Sequence, residues 1–460
     1  MRKKTERQLP LSFTGTRKIT KEWYEGYYQI DTILRANPAV VDLVHADLAG
    51  GVKQQKRNVD GVASESILRM AIVQQIEGLS VRGLIIRIDD SDTLRFFCHF
   101  YDEDVIDFST YANLVNLIQP ATWEKINEVI VRYGRDKKKI KGEKLRLDTT
   151  AVETDIHYPT DSSLLFDCVR TLANLIEEVR EVDPVLVGTG RIHVKKAKHT
   201  AYELARGGGK LHKAKQKSLY QRLIDQAEHV WSRSLEIAGQ IDEGPRAGDV
   251  LARLTLKQCA ADLKEYAGLT AKCIYQVRER VICERPVPND QKIFSIFEPH
   301  TELLKRGKAR AAVEFGHMVE LHEVEDGLIS SYTVHEKRPA EAPLLEKATL
   351  KHQALFGRVP ELEAGDKGFY SKEAVAAVKA LGVKKVCVPK KGKRNEEETR
   401  YEHSTWFKLG QAFRAGIEGT ISVLKRVFGL KRCLREGFEH FASWVGSGVL
   451  AHNLLALARL

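Results

Sequence analysis

The chain has 460 residues, 43% of them hydrophobic and 29% charged, with 73 basic against 62 acidic side chains and a net charge of +11. That excludes a disordered polar chain and leaves room for two or three domains with a sizeable core, while the basic excess favours a polyanionic partner, nucleic acid first. The seven cysteines are odd in number, scattered and never in a CxxC pair, which speaks against a disulfide framework and a cysteine zinc site and fits a reducing cytoplasm.

The amino terminus, MRKKTERQLPLSF, is basic but has no apolar stretch of the kind a secretory signal needs. From about Lys21 to Tyr133 the pattern is helical. In ESILRMAIVQQIEG the residues Ile67, Met70 and Ala71 recur at helical spacing, with Ser64 as the expected N-cap. Gly78, Leu79 and Ser80 then separate this helix from VRGLIIRI, and a further capped helix is expected from Ser109. A helix-turn-helix reader of DNA and a plain helical bundle both fit residues 1–135. The stretch Arg132 to Arg146 carries eight bases against two acids and reads as a solvated tether or a backbone-phosphate contact.

β character begins at LRLDTTAVET, where β-branched residues surround Asp148. A helical insertion is expected over about 160–290, including a run of bases from His193 to Lys217 that fits either a solvated face or a DNA backbone. Strand alternation resumes at Val313, Phe315, Val319 and Leu321, with Asp326-Gly327 as the turn of a hairpin. A helix, a strand ending at Gly365-Asp366, a helix, a strand and a long basic helix follow. With the insertion excised the order is β, hairpin, α, β, α, β, α, that of an RNase H-like α/β domain spanning 136–460. The apolar tract FASWVGSGVLAHNLLALARL reads as a core helix, because His452, Asn453 and Arg459 would be costly in hydrocarbon.

This order sets Asp148 on the first strand, Asp366 at the end of the strand after the hairpin, and Glu418 on the last basic helix. Three carboxylates converging at one end of a sheet can hold two divalent ions that act on a phosphodiester, and oxygen ligands suit Mg²⁺ or Mn²⁺. Between Thr405 and Arg435, Glu418 is the single acid among seven bases. On a helical wheel Arg414 lies roughly 40° from Glu418 and Lys425 roughly 20° to its other side, so the three share a face beside the apolar stripe Ile417, Ile421, Leu424 and Phe428. Gly416 and Gly419 each cost about 1 kcal/mol in a helix interior relative to Ala, which implies close approach of the sheet or of DNA.

Asp148 in LRLDTTAVETDIHYPTDSSLL, the stretch SIFEPHTELLKRGKARAAVEFGH, Asp366 in GDKGFYS, and Arg414, Glu418 and Lys425 in the spacing R-x3-E-x6-K together resemble bacterial insertion-sequence DDE transposases, the ISNCY group, with an InsH-type amino-terminal region. The resemblance implies that Asp148, Asp366 and Glu418 form the catalytic, metal-binding triad, loaded with two Mg²⁺ or Mn²⁺ ions. It implies DNA contacts from Arg414, Lys425, Lys367 and Arg426. It further implies double-stranded DNA as partner, at the element's ends and at the target, a homodimer in the synaptic complex, and a cytoplasmic, nucleoid-associated location in a bacterium. The implied activity is endonuclease and strand transferase; the alternative is an inactive or repurposed DNA-binding protein of the same descent, or a nuclease without strand transfer. One departure stands out: Gln411 occupies the position where the group usually has Tyr, which would contact phosphate or the DNA end.

Other features read as structure. His317, in phase with Phe315 and Val319, is expected to be a satisfied core histidine. RGGGK at 206–210 and GTGR at 188–191 lack the ending of a phosphate loop and read as loops. Trp406, Phe407 and Phe413 are expected in the core, with stacking on an unpaired base as the alternative.

Overall fold

Alternating apolar and β-branched residues make Lys144–Glu153 a strand whose Leu145, Leu147, Ala151 and Val152 are buried. In the computed structural model, which describes residues 3–5, 18–50, 61–190, 192–207, 212–244, 249–305 and 313–460, this strand is the hub of a mixed sheet. The described strands are β1 (Lys144–Glu153), β2 (Glu302–Lys305), β3 (Val313–Val324), β4 (Ile329–His335), β5 (Leu362–Ala364) and β6 (Lys385–Cys387). β1 runs antiparallel to β3, with Leu145 opposite Val324 and Glu153 opposite Gly316, and β3 runs antiparallel to β4. On its other edge β1 is parallel to β5, which is parallel to β6. The sheet order β2-β3-β1-β5-β6, with β4 also paired to β3, antiparallel between β1 and β3 and parallel from β1 to β6, is RNase H-like, as the element order predicts. The hairpin turns at Asp326 and Gly327, both left-handed at φ 66° and 78°.

Contacts divide the chain into two units, Met1–Asp155 with Gly316–Leu460, and Ile156–Phe315. In the first, the predicted core helix is Phe438–Arg459. It alone among the described residues is long and apolar enough to cross a membrane, yet 78% of its 18-residue apolar window is buried within the protein. The helices Lys18–Ala36, Ser64–Glu77 and Pro120–Asp136 pack on it, so the helices expected as a separate amino-terminal region share a unit with the sheet. In the second unit Asp161–Val182, Val194–Gly207, Lys213–Glu243 and Val250–Val277 enclose a core of their own. This unit runs from Ile156 to Phe315, and its described helical elements lie between Asp161 and Gln291.

Several local expectations shift. Ser64 is the first helical residue rather than the cap: Ala63 takes the N-cap position without a side-chain bond, and the Ser64 hydroxyl pairs instead with His45 Nδ1 at 3.0 Å. The later helix is Phe108–Val115, capped by Asp107, whose carboxylate accepts from the Ser109 and Thr110 amides. Gly78 ends Ser64–Glu77 in the left-handed region, and Ser80 caps Val81–Asp89. Ser64–Glu77 is buried on nearly every side, its Arg69 fully so against Glu65, Asp31 and the Phe97 carbonyl, so it is not a groove-reading helix.

The basic stretch from Arg132 to Arg146 is no tether. Its first residues finish the helix Pro120–Asp136 and its last begin β1. Arg132 and Arg135 donate to the Ala354 and Leu355 carbonyls at 3.5 and 2.5 Å, and Lys139 donates to Leu457 O at 2.8 Å. These acceptors are last-turn carbonyls of two helices, where cations also meet the negative end of the dipole. Residues 208–210 of the RGGGK stretch, Arg191, residues 306–312 of the stretch SIFEPHTELLKRGKARAAVEFGH and most of the amino-terminal segment lie outside the described residues. Gly188 caps a short helix in a loop, as expected.

Candidate active site

Two parallel strands bring the first two acids level. β1 and β5 pair with Arg146 opposite Ala364, so two residues further along each chain Asp148 and Asp366 stand side by side at the carboxyl edge of β5. Asp366 caps a short turn over Lys367–Phe369, accepting from the Gly368 amide at 2.6 Å. Lys391 Nζ donates to Gly368 O at 2.9 Å and holds the same turn. Asp148 Oδ1 accepts from the Thr149 amide at 2.7 Å.

The third acid arrives on the helix Thr405–Arg426, which packs on β1 and β5. Its Arg414 donates from Nη2 to Asp148 Oδ2 at 3.1 Å and from Nη1 to Glu418 Oε1 at 2.9 Å, so one guanidinium spans two acids. Glu418 is 64% exposed, whereas the Asp148 side chain is 15% exposed. Burial raises the Asp148 carboxyl above its ordinary range, and the nearby Asp366 charge raises it further; Arg414 and the Thr149 amide pull the other way. The structure therefore brings Asp148 and Asp366 within mutual influence and joins Asp148 to Glu418 through Arg414.

Among the described residues, no group of three or more His, Cys, Asp or Glu side chains is gathered closely enough to hold a metal ion. The donors nonetheless fit a hard divalent cation: all are carboxylate oxygens, and Arg414 already places positive charge between Asp148 and Glu418. Lys367 and Arg426 are exposed beside Asp366 and at the end of the helix, and Lys425 is half-buried. Arg414, expected as a DNA contact, has its guanidinium bonded to Asp148 and Glu418.

The helix is fixed to the sheet by a largely covered arginine, its side chain 12% exposed, that the sequence did not single out. Arg146 donates to Phe413 O at 2.6 Å, pairs with the buried Glu323 and stacks over the Phe413 ring at 4.7 Å; Thr420 also donates to Glu323, at 2.9 Å. A Cβ on Gly416 would collide with this guanidinium, which accounts for that glycine. Gly419 has nothing within 4 Å of a built Cβ, so the sheet does not require it. Gln411 turns toward the strands: its amide donates to Cys387 O at 2.9 Å and to Gly365 O at 3.4 Å.

Phe407 is buried and packs edge-on against Trp406 and Tyr401, as expected for core aromatics. His317 is likewise a buried, satisfied histidine, paired with Glu336 O at 3.0 Å between the Phe438 and Phe441 rings. Glu341, ahead of the helix Ala342–Phe356, was missed. An acid before Ala-Pro reads as a helix cap, but its side chain makes no capping bond and accepts from Thr149 Oγ1 at 3.3 Å.

Two regions match known families. Residues 299–454 match the family described as Transposase DDE domain, and residues 26–117 match Transposase domain (DUF772). The first includes Asp366 and Glu418; Asp148 and most of the helical insertion lie between the two matches. No curated protein and no solved structure matches the chain.

Proposed function

We propose, on the premise that the chain is an insertion-sequence DDE transposase, that it binds the terminal inverted repeats of its element and uses Asp148, Asp366 and Glu418 to cleave and rejoin DNA. The observation that carries this reading is the convergence just described: Asp148 on β1 beside Asp366, just past the end of the parallel neighbour β5, and Glu418 joined to Asp148 through Arg414. An amino-terminal region of the InsH type belongs to the same proposal.

Two Mg²⁺ or Mn²⁺ ions held by the three carboxylates would supply Lewis-acid stabilisation of the phosphate and a more acidic bound water. The protein's own groups do the rest. The half-buried Asp148 is fixed by the Thr149 amide, and the Asp366 turn by Gly368 and Lys391, so the acids are aligned before substrate arrives. Arg414 keeps Asp148 and Glu418 partly neutralised. Lys367, Lys425 and Arg426 lie where backbone phosphates would approach, and Arg414 becomes a phosphate contact when its acids take other partners. The first step breaks a P–O bond at the element's end with water as nucleophile and frees a 3′-hydroxyl. In the second, that hydroxyl attacks a target phosphodiester and the target's own 3′-oxygen leaves. Joining two ends requires at least a dimer on DNA.

The test is Mg²⁺- or Mn²⁺-dependent nicking of a duplex carrying the element's own ends, followed by joining of pre-cut ends to a target plasmid. Both activities support the reading. Binding without cleavage identifies a repurposed DNA-binding protein, and cleavage without joining identifies a nuclease.

A further inference from the structure

Glu341 is placed as no solvated surface acid would be. Its Oε1 accepts from Thr149 Oγ1 at 3.3 Å, on the residue that follows Asp148. Its other oxygen faces the Asp366 turn: a Cβ built on Gly368 would collide with Glu341 Oε2 and come within 2.7 Å of Asp366 Oδ1. The two carboxylates therefore crowd one point, and glycine is what lets them do so. Arg338 lies 3.9 Å from Oε1, at the limit of an ion pair, and half its side chain is exposed. Like charges held this close in a partly buried place repel unless a cation or a proton comes between them. The Glu341 side chain is 22% exposed, and it spends no hydrogen bond on the helix it precedes.

We infer that Glu341 is a fourth carboxylate of the active site, which joins Asp366 in holding one divalent ion. The inference rests on the transposase reading above and adds a residue to it. Thr149 positions Glu341 from one side and the Gly368 turn from the other, so the acid is oriented toward Asp366 without help from DNA.

Charge and structure separate cleanly at this position. Gln in place of Glu341 still accepts from Thr149 and keeps its volume, but it lacks the anion that a hard cation requires. The experiment is Mn²⁺ titration of the full-length protein without DNA, by calorimetry and by the rise in thermal midpoint that the ion produces. Glu341→Gln is expected to weaken Mn²⁺ binding at least tenfold and to abolish most of the ion-induced rise. Its ion-free midpoint should equal or exceed that of the wild type, since one like charge is gone. Gly368→Ala, which pushes Glu341 from its place, should weaken Mn²⁺ binding in the same direction. Wild-type Mn²⁺ affinity in Glu341→Gln overturns the inference. Asp148→Asn is the control on the underlying reading: if it loses Mn²⁺ binding while Glu341→Gln does not, only the fourth carboxylate fails, and if neither changes, the metal-site reading fails as well.

Discussion

Asp148 carries its charge in a place that disfavours it. Its carboxyl is raised above the ordinary 3.8 first by burial and then by Asp366. An acid raised in the folded state favours folding while protonated, so that contribution is full below the unfolded value and fades as pH rises through the folded one. Without metal, Asp148→Asn should therefore be at least as stable as the wild type at pH 7 while losing all cleavage, as denaturant titration and a nicking assay would show; a large loss of stability would contradict this. The acids were legible from the sequence because each stands out locally, one amid strand formers and one amid bases. Glu341 was not, since its neighbours make it look like an ordinary helix cap. The role of Arg414 was half legible: helical spacing put it beside Glu418, but only the strand register shows that it also reaches Asp148.

At the scale of elements, two glycines in one helix have opposite fates. Gly416→Ala drives a methyl into the Arg146 guanidinium, which is held by Phe413 O, Glu323 and the Phe413 ring and cannot swing away freely. Gly419→Ala meets open space and should gain up to about 1 kcal/mol of helix propensity. Thermal melts of the pair should move in opposite directions; a stabilised Gly416→Ala would refute the account of how this helix sits. The neighbouring tie is Glu363 on β5, fully buried and bonded by Thr349 of Ala342–Phe356 at 2.6 Å. Burial pushes its carboxyl up to about 8. Stability from the neutral form is complete below the unfolded value near 4.5 and declines until the pH passes about 8. Glu363→Gln should flatten that decline in pH-dependent unfolding, and an unchanged slope would count against a protonated Glu363. Element order was readable because strand and helix periods differ, whereas caps depended on side-chain partners such as His45 that lie far off in sequence.

For the whole molecule, the sequence made the buried carboxyl-terminal helix Phe438–Arg459 legible, because its run is apolar yet carries His452, Asn453 and Arg459. It did not reveal that the amino-terminal helices close over Phe438–Arg459 in the same unit as the sheet. Both faces are apolar, and nothing in either segment names its partner. Nor did it show Arg132, Arg135 and Lys139 of the basic stretch before β1 bonding to helix ends. The net charge of +11 still favours a polyanionic partner. The most direct measurement is made on full-length Glu418→Gln with duplex DNA carrying the element's terminal repeat and Mg²⁺. The account predicts a gel shift equal to that of the wild type with strand cleavage reduced at least a thousandfold; wild-type cleavage by this variant would contradict it.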